Sequence, residues 1–160
     1  MKKTIVLIAF LSVGFFFSSF NDGKYSISSQ PHTKGSLTDI AKAFLLAEEQ
    51  SYQQSATREN VEAVLSFCCD TVKYDHVLSP DKKFSFSGKN QWRTGSVSHL
   101  GETKNVKLEI VQCIHQQNIV VVEFTLYREV TDGGQKSKGT ILSIIEFNKD
   151  SKIDKLTDYL

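Results

Sequence analysis

From Lys104 to Leu160 the chain repeats one pattern, and that pattern limits what it can fold into. Apolar and polar residues alternate with a period of two, in long runs separated by short turns. In the first run Val106, Leu108 and Ile110 share one face, and Lys107, Glu109, Val111 and Cys113 share the other. Gln116-Gln117-Asn118 turns the chain. In Ile119 to Glu129, Val120, Val122, Phe124 and Leu126 oppose Val121, Glu123, Thr125 and Tyr127. Asp132-Gly133-Gly134 is a strong hairpin signal. Gly139 to Asn148 places Ile141, Ser143, Ile145 and Phe147 on one face, and Ile153, Leu156 and Tyr159 finish an apolar edge. Turns this short join antiparallel neighbours. The expectation is an antiparallel sheet whose apolar face must be covered by the preceding chain.

The preceding chain has helices to offer. Leu37, Ile40, Ala41, Phe44, Leu45 and Glu48 recur at helical spacing, behind Ser36 or Thr38 as a cap. This helix is expected to end near Gln53. A second helix starts at Thr57, with Val61, Val64, Leu65 and Cys68 as its stripe. Asp70 to Val77 reads as a short strand, with Val72, Tyr74 and His76 on one face and Asp75 on the other. Phe84 and Phe86 alternate with serines after a Pro80-Asp81 turn, which predicts a hairpin. Lys89 to Thr103 carries Trp92, Val97 and Leu100 among glycines and predicts a short irregular helix and a loop. Helices first and long strands last is an α+β order. A sheet covered by helices on one face can leave a pocket between the layers.

The N-terminal segment has a different character. Met1-Lys2-Lys3-Thr4 is a basic start, and Ile5 to Phe20 is uncharged and apolar or small. Residues 1–20 match a signal peptide, residues 21–36 a polar flexible arm, and residues 37–160 one domain. The alternative is an uncleaved anchor. A cleaved signal implies a periplasmic or secreted bacterial protein with no stable membrane insertion afterwards. Loss of Lys2 and Lys3 takes the formal charge from +1 to −1. Lys and Arg are scattered, so no basic field invites nucleic acid. Cys68, Cys69 and Cys113 are an odd set, either buried free thiols or one pair and one thiol. No paired spacing of Cys or His suggests a metal, and no motif suggests a cofactor.

With these elements in place, residues 37–159 resemble the NTF2-like superfamily, which includes ketosteroid isomerase and the SnoaL-type cyclases. The resemblance rests on the helix pair, on Asp70-Thr71-Val72-Lys73-Tyr74-Asp75, and on Ile144 to Ile153 as penultimate strand, turn and final strand. It implies a cone: a strongly curved antiparallel sheet packed against two or three N-terminal helices, with a cavity between them. In that family the isomerase base is the second Asp of an Asp-x-x-x-x-Asp strand, which Asp70 and Asp75 match. The resemblance therefore makes Asp75 the candidate general base, acting on a carbonyl compound. If Asp75 faces the cavity, its neighbour His76 faces away. The other reading of Asp75 is a strand-end carboxylate in water.

The donor side of such a site is weaker. The isomerase's protonated aspartate falls by resemblance at Ser143, which is no acid. Tyr127 is a candidate hydroxyl donor, and Tyr52 has no secure match in the family. Trp92, His99 and Phe147 are candidate pocket residues, each equally readable as core or surface. The expected function is therefore binding of a small apolar ligand or a protein partner without chemistry. A SnoaL- or isomerase-like enzyme using Asp75, Tyr127 and Ser143 is one alternative. A homodimer formed through the sheet is the other.

Overall fold

In a computed structural model the structure describes residues 36–160 apart from Pro80. The signal-peptide and arm assignments lie outside the described residues. Among the described residues no helix is long and apolar enough to cross a membrane.

Helix α1 spans Leu37–Ser51. Ser36 caps it: its Oγ accepts from the Asp39 N–H at 3.2 Å, while the Asp39 carboxylate accepts from the Ser36 N–H at 3.1 Å. This reciprocal pair satisfies donors that the first turn leaves open. Ala41, Phe44, Leu45 and Glu48 form the buried stripe. Helix α2 spans Arg58–Ser66 and begins at Thr57, whose N–H donates to Asn60 Oδ1 at 2.9 Å. It buries Val61, Val64 and Leu65. Strand β1 (Cys68–Ser79) follows at once, then β2 (Lys82–Ser87) and helix α3 (Lys89–Ser98). Gly88 precedes α3 at φ 80°, a conformation in which a side chain would be strained. The chain ends in β3 (Thr103–Gln116), β4 (Ile119–Val130), β5 (Lys136–Phe147) and β6 (Ile153–Tyr159).

The six strands form one open sheet in the order β2-β1-β6-β5-β4-β3. The β3, β4, β5 and β6 neighbours are antiparallel, as the short turns require. The expectation of an antiparallel sheet is corrected at one seam: β1 and β6 run parallel. Turn length governs only strands adjacent in sequence. Here β2, α3 and the three strands β3 to β5 separate the partners, so a long crossover joins them. The result is the α+β architecture expected, with a mixed sheet.

A second correction concerns β3. A bulge at Val111 puts Ile110 opposite Phe124 and Cys113 opposite Val122. Cys113 therefore joins the face of Leu108 and Ile110 instead of opposing it, because one extra residue shifts the period. All three cysteines are free thiols.

The core lies between the helices and one sheet face. Phe44, Leu45, Leu65, Ile145, Ile153 and Leu156 are almost wholly enclosed. Each such side chain contributes about 1.5–3 kcal/mol by leaving water. Phe44 meets Phe67 and Trp92 edge-on, at 6.1 and 6.4 Å between ring centres.

Candidate functional site: a polar ladder under an apolar pocket

The helix-facing side of the sheet carries one polar row. His76 on β1 lies opposite Asp158 on β6, and Asp158 lies opposite Ser143 on β5. Ser143 in turn opposes Val122 on β4. Directly opposed residues share a face, so strand register alone assembles this ladder. Tyr74, two residues before His76, stands on the same face.

The ladder is joined by hydrogen bonds. Tyr74 Oη donates to Asp158 Oδ2 at 2.9 Å, and Ser143 Oγ donates to Asp158 Oδ1. Tyr74 Oη also lies 2.9 Å from His76 Nδ1. The tyrosine has one hydroxyl proton, and Asp158 receives it. The contact with His76 therefore runs from Nδ1–H to the tyrosine oxygen. That fixes the imidazole with Nε2 as its free acceptor. Tyr74 is held on both sides, by Trp92 stacked at 4.8 Å and by Phe86 stacked at 5.9 Å.

Glu48 is the second buried acid. It comes from the apolar stripe of α1 and is 6 % exposed, against 7 % for Asp158. Burial, then the charge of Asp158, pushes the Glu48 carboxyl well above its ordinary range. Burial also raises Asp158, but the hydrogen bonds from Ser143 and Tyr74 oppose the rise. Of the two, Asp158 ionises more readily and Glu48 holds its proton more tightly, because hydrogen-bond donors reach only Asp158. Tyr52 is the residue that ends α1, and it lines the pocket beside Glu48. The charge of Glu48 is the first cause that drives this phenol upward. His76 is lowered, chiefly by burial, and is neutral at pH 7.

Two connected lobes lie over the ladder. The larger, about 540 Å³, is walled by Tyr74, Phe84, Phe86 and Trp92 and bordered by Ser96, His99 and Glu102. The deeper, about 220 Å³, is walled by Val106, Leu108, Phe124, Leu126 and Ile141, with Glu48 and Asp158 in its lining. Tyr52, Tyr74, His76, Leu78, Thr103 and Arg128 line both. Arg128 is exposed on the shared rim and bonds Ser137 Oγ at 3.2 Å. Among the described residues it joins no ion pair.

The structure separates the residues that the sequence grouped. Asp75 lies on the opposite face of β1 and lines neither lobe. Its carboxylate accepts from Ser85 Oγ at 2.8 Å and pairs with Lys83 Nζ at 2.9 Å. Burial raises this acid, but the Lys83 and Ser85 bonds outweigh it, so the carboxyl ends below its ordinary value. Tyr127 is also on the far face, opposite Lys138, whose Nζ lies 5.1 Å from the ring centre. Ser143 is at the site, as a donor to Asp158. Trp92 and His99 line the larger lobe, His99 bonded through Nδ1 to Glu102 at 2.9 Å. Phe147 is enclosed in the core and lines neither lobe. His76, Asp158 and Glu48 were not among the candidates. The signal for Glu48 was a carboxylate on an otherwise apolar helical stripe. The signal for Asp158 was its place two residues after Leu156.

No protein-family profile matches the chain, and no curated protein matches it. Solved structures do. A hypothetical protein with a ketosteroid isomerase-like fold from Catenulispora acidiphila, solved in complex with trimethylamine, superposes with TM-score 0.60 at 13 % identity, over 76 % of this chain and 85 % of that one. A Mycobacterium tuberculosis LEH-like epoxide hydrolase gives 0.58 at 17 %, over 77 % and 80 %. An uncharacterized cystatin-fold protein from Novosphingobium aromaticivorans gives 0.59 at 17 %, over 78 % and 97 %. Three helices on an open six-stranded sheet, with these structural neighbours, give the chain the NTF2-like fold in its ketosteroid isomerase-like form.

Proposed function

We propose that this chain is an exported binding domain that holds a small, largely apolar molecule in its two-lobed pocket and performs no chemistry on it. The observation that carries this reading is the composition of the walls. Aromatic and aliphatic side chains make up most of the deeper lobe and form the aromatic wall of the larger one, with a limited set of polar side chains among them, as in small-molecule sites generally. Asp75, the base that the enzyme alternative requires, is engaged with Lys83 and Ser85 on the other side of the sheet. A trimethylamine complex of a fold neighbour supports ligand binding by this architecture. Export rests on Met1 to Phe20.

The test is binding of an environment-sensitive apolar dye to the purified protein, followed by native mass spectrometry for a co-purified molecule. Ile141→Trp should fill the deeper lobe and weaken dye binding about tenfold or more. A dye that fails to bind the folded wild type, or binds Ile141→Trp equally well, overturns the reading.

One observation favours a homodimer as well. On the outer sheet face Ile114, Val121 and Ile144 are aligned across β3, β4 and β5. Ile114 is 52 % exposed, and nearby Leu142 is 39 % exposed. A second copy would cover this row. Light scattering at micromolar concentration should give a dimer that Ile144→Lys dissociates; a wild-type monomer refutes it.

A further inference from the structure

We propose that the deeper lobe recognises a small amphipathic amine, whose protonated nitrogen seats against the Glu48 carboxyl beside Asp158. The inference rests on the binding reading above and names the ligand class for that pocket.

Glu48 is the key group. Among the described residues no fully enclosed side-chain oxygen lacks a partner, and the Glu48 carboxyl makes no hydrogen bond to protein. Its oxygens therefore open onto the lobe it lines. A carboxyl more than nine-tenths buried, unpartnered and aimed into an apolar cavity is a costly arrangement for the protein alone. A second carboxyl, Asp158, lines the same lobe. Its two oxygens already accept from Tyr74 and Ser143, which favours its anionic form. No lysine or arginine pairs with either acid among the described residues. The lobe thus offers two carboxyls among walls that are mostly hydrocarbon, with His76, Thr103 and Arg128 among its other polar side chains. An amine carrying a compact hydrocarbon body supplies the missing cation and fills those walls.

The groups around Glu48 are consistent with this polarity. Tyr52 stands one turn beyond Glu48, at the residue that ends α1, and the neutral Cys68 and Tyr74 come from β1. Burial, then the charge of Glu48, holds the Cys68 thiol up at about 12. His76 is neutral. Arg128 from β4 is the one cation of the lining, and it stands exposed at the rim, where solvent screens it.

The proton balance is explicit. Free Glu48 holds a proton at mildly acidic pH, because burial and Asp158 disfavour its anion. An ammonium arriving from water displaces that proton to the buffer, leaving a carboxylate–ammonium pair. Affinity should therefore rise with pH, by up to about tenfold per unit, until free Glu48 ionises.

The test is calorimetric titration of the full folded domain with N,N-dimethylcyclohexylamine and with the similarly shaped neutral ketone 1-cyclohexylethanone. It is run between about pH 5 and 8 in two buffers of different ionisation enthalpy. The expected result is amine binding about tenfold tighter than ketone binding near pH 8, with up to one proton released per amine at lower pH. Glu48→Gln should remove the proton release and weaken amine binding about tenfold or more, leaving the ketone unaffected. Arg128→Gln, which leaves the buried cluster intact, should tighten amine binding. Equal or tighter ketone binding, or unchanged amine affinity and proton release in Glu48→Gln, overturns the proposal. If the apolar dye binds and the ketone displaces it while the amine does not, the amine assignment fails and the binding reading stands. If the dye itself does not bind, both fail.

Discussion

Removing one oxygen, by Tyr74→Phe, tests the ladder directly. The ring is 8 % exposed and stacked between Phe86 and Trp92, so the phenyl should keep its place. What is lost is the donor to Asp158 at 2.9 Å and the acceptor for His76 at 2.9 Å. Asp158 retains Ser143 alone as a donor. A buried carboxylate deprived of a hydrogen bond costs about 1.5–3 kcal/mol, more than an ordinary neutral bond. The histidine is partly accessible from the pocket and can turn to water, so its share is small. The expected loss is about 2–3 kcal/mol. With a urea slope of about 1–3 kcal/mol per molar, the unfolding midpoint should fall by roughly 0.7–3 M. Trp92 is the sole tryptophan and touches Tyr74, so its fluorescence reports the transition at the site itself. Asp158→Asn and the double variant complete a cycle, whose coupling should be about 1–3 kcal/mol. An unfolding free energy within about 0.5 kcal/mol of wild type, or a cycle without coupling, would show that the hydroxyl does not hold Asp158.

Other perturbations have signs set by the same structure. Glu48 and Asp158 are both raised on folding, so the native state binds more protons than the unfolded one above the ordinary carboxylate range. Their contribution to stability is therefore greatest at low pH and declines as pH rises through their folded values. Glu48→Gln should flatten that decline in urea melts between about pH 5 and 8, and an unaltered slope would count against Glu48 as the titrating group. Asp75→Asn should cost no more than about 1 kcal/mol and leave dye binding unchanged, since it breaks a partly exposed pair with Lys83 away from the pocket. Loss of dye binding there would return Asp75 to the site. Ser36→Ala should cost about 1 kcal/mol by uncapping α1, read as a lower thermal midpoint.

The elements were legible because each obeys a local rule. The α1 stripe from Ala41 to Glu48 is helical spacing, and the β4 and β5 alternation is simple pleat. The β1–β6 seam was not legible, because no local signal marks a pairing between strands so far apart in sequence. Nor was the Val111 bulge, which shifts Cys113 to the other face without any glycine to announce it. The site was half visible. Period-two reading already put Tyr74 and His76 together and Asp75 opposite. What alternation cannot say is which face the helices cover, and the family resemblance drew attention to Asp75, which stands on the face away from the pocket. Asp158 was hidden for a different reason. Ile153, Leu156 and Tyr159 looked like the informative residues of the last segment, whereas the register with His76 and Ser143 places Asp158 in the polar ladder.

The seam also dictates an order of events during synthesis. Until β6 has been made, β1 with β2 and β5 with β4 and β3 are separate pieces, each with an unpaired edge where β6 will insert. Asp158 reaches the cluster only at that late step, so the pocket floor is completed last. Pairing β6 with β1 brings together residues far apart in sequence, such as His76 and Asp158, a slow closure by comparison with the β5–β6 hairpin. A nascent chain lacking its final strand is therefore held open and vulnerable to pairing with other edges, and a chaperone that guards strand edges would have its longest task here.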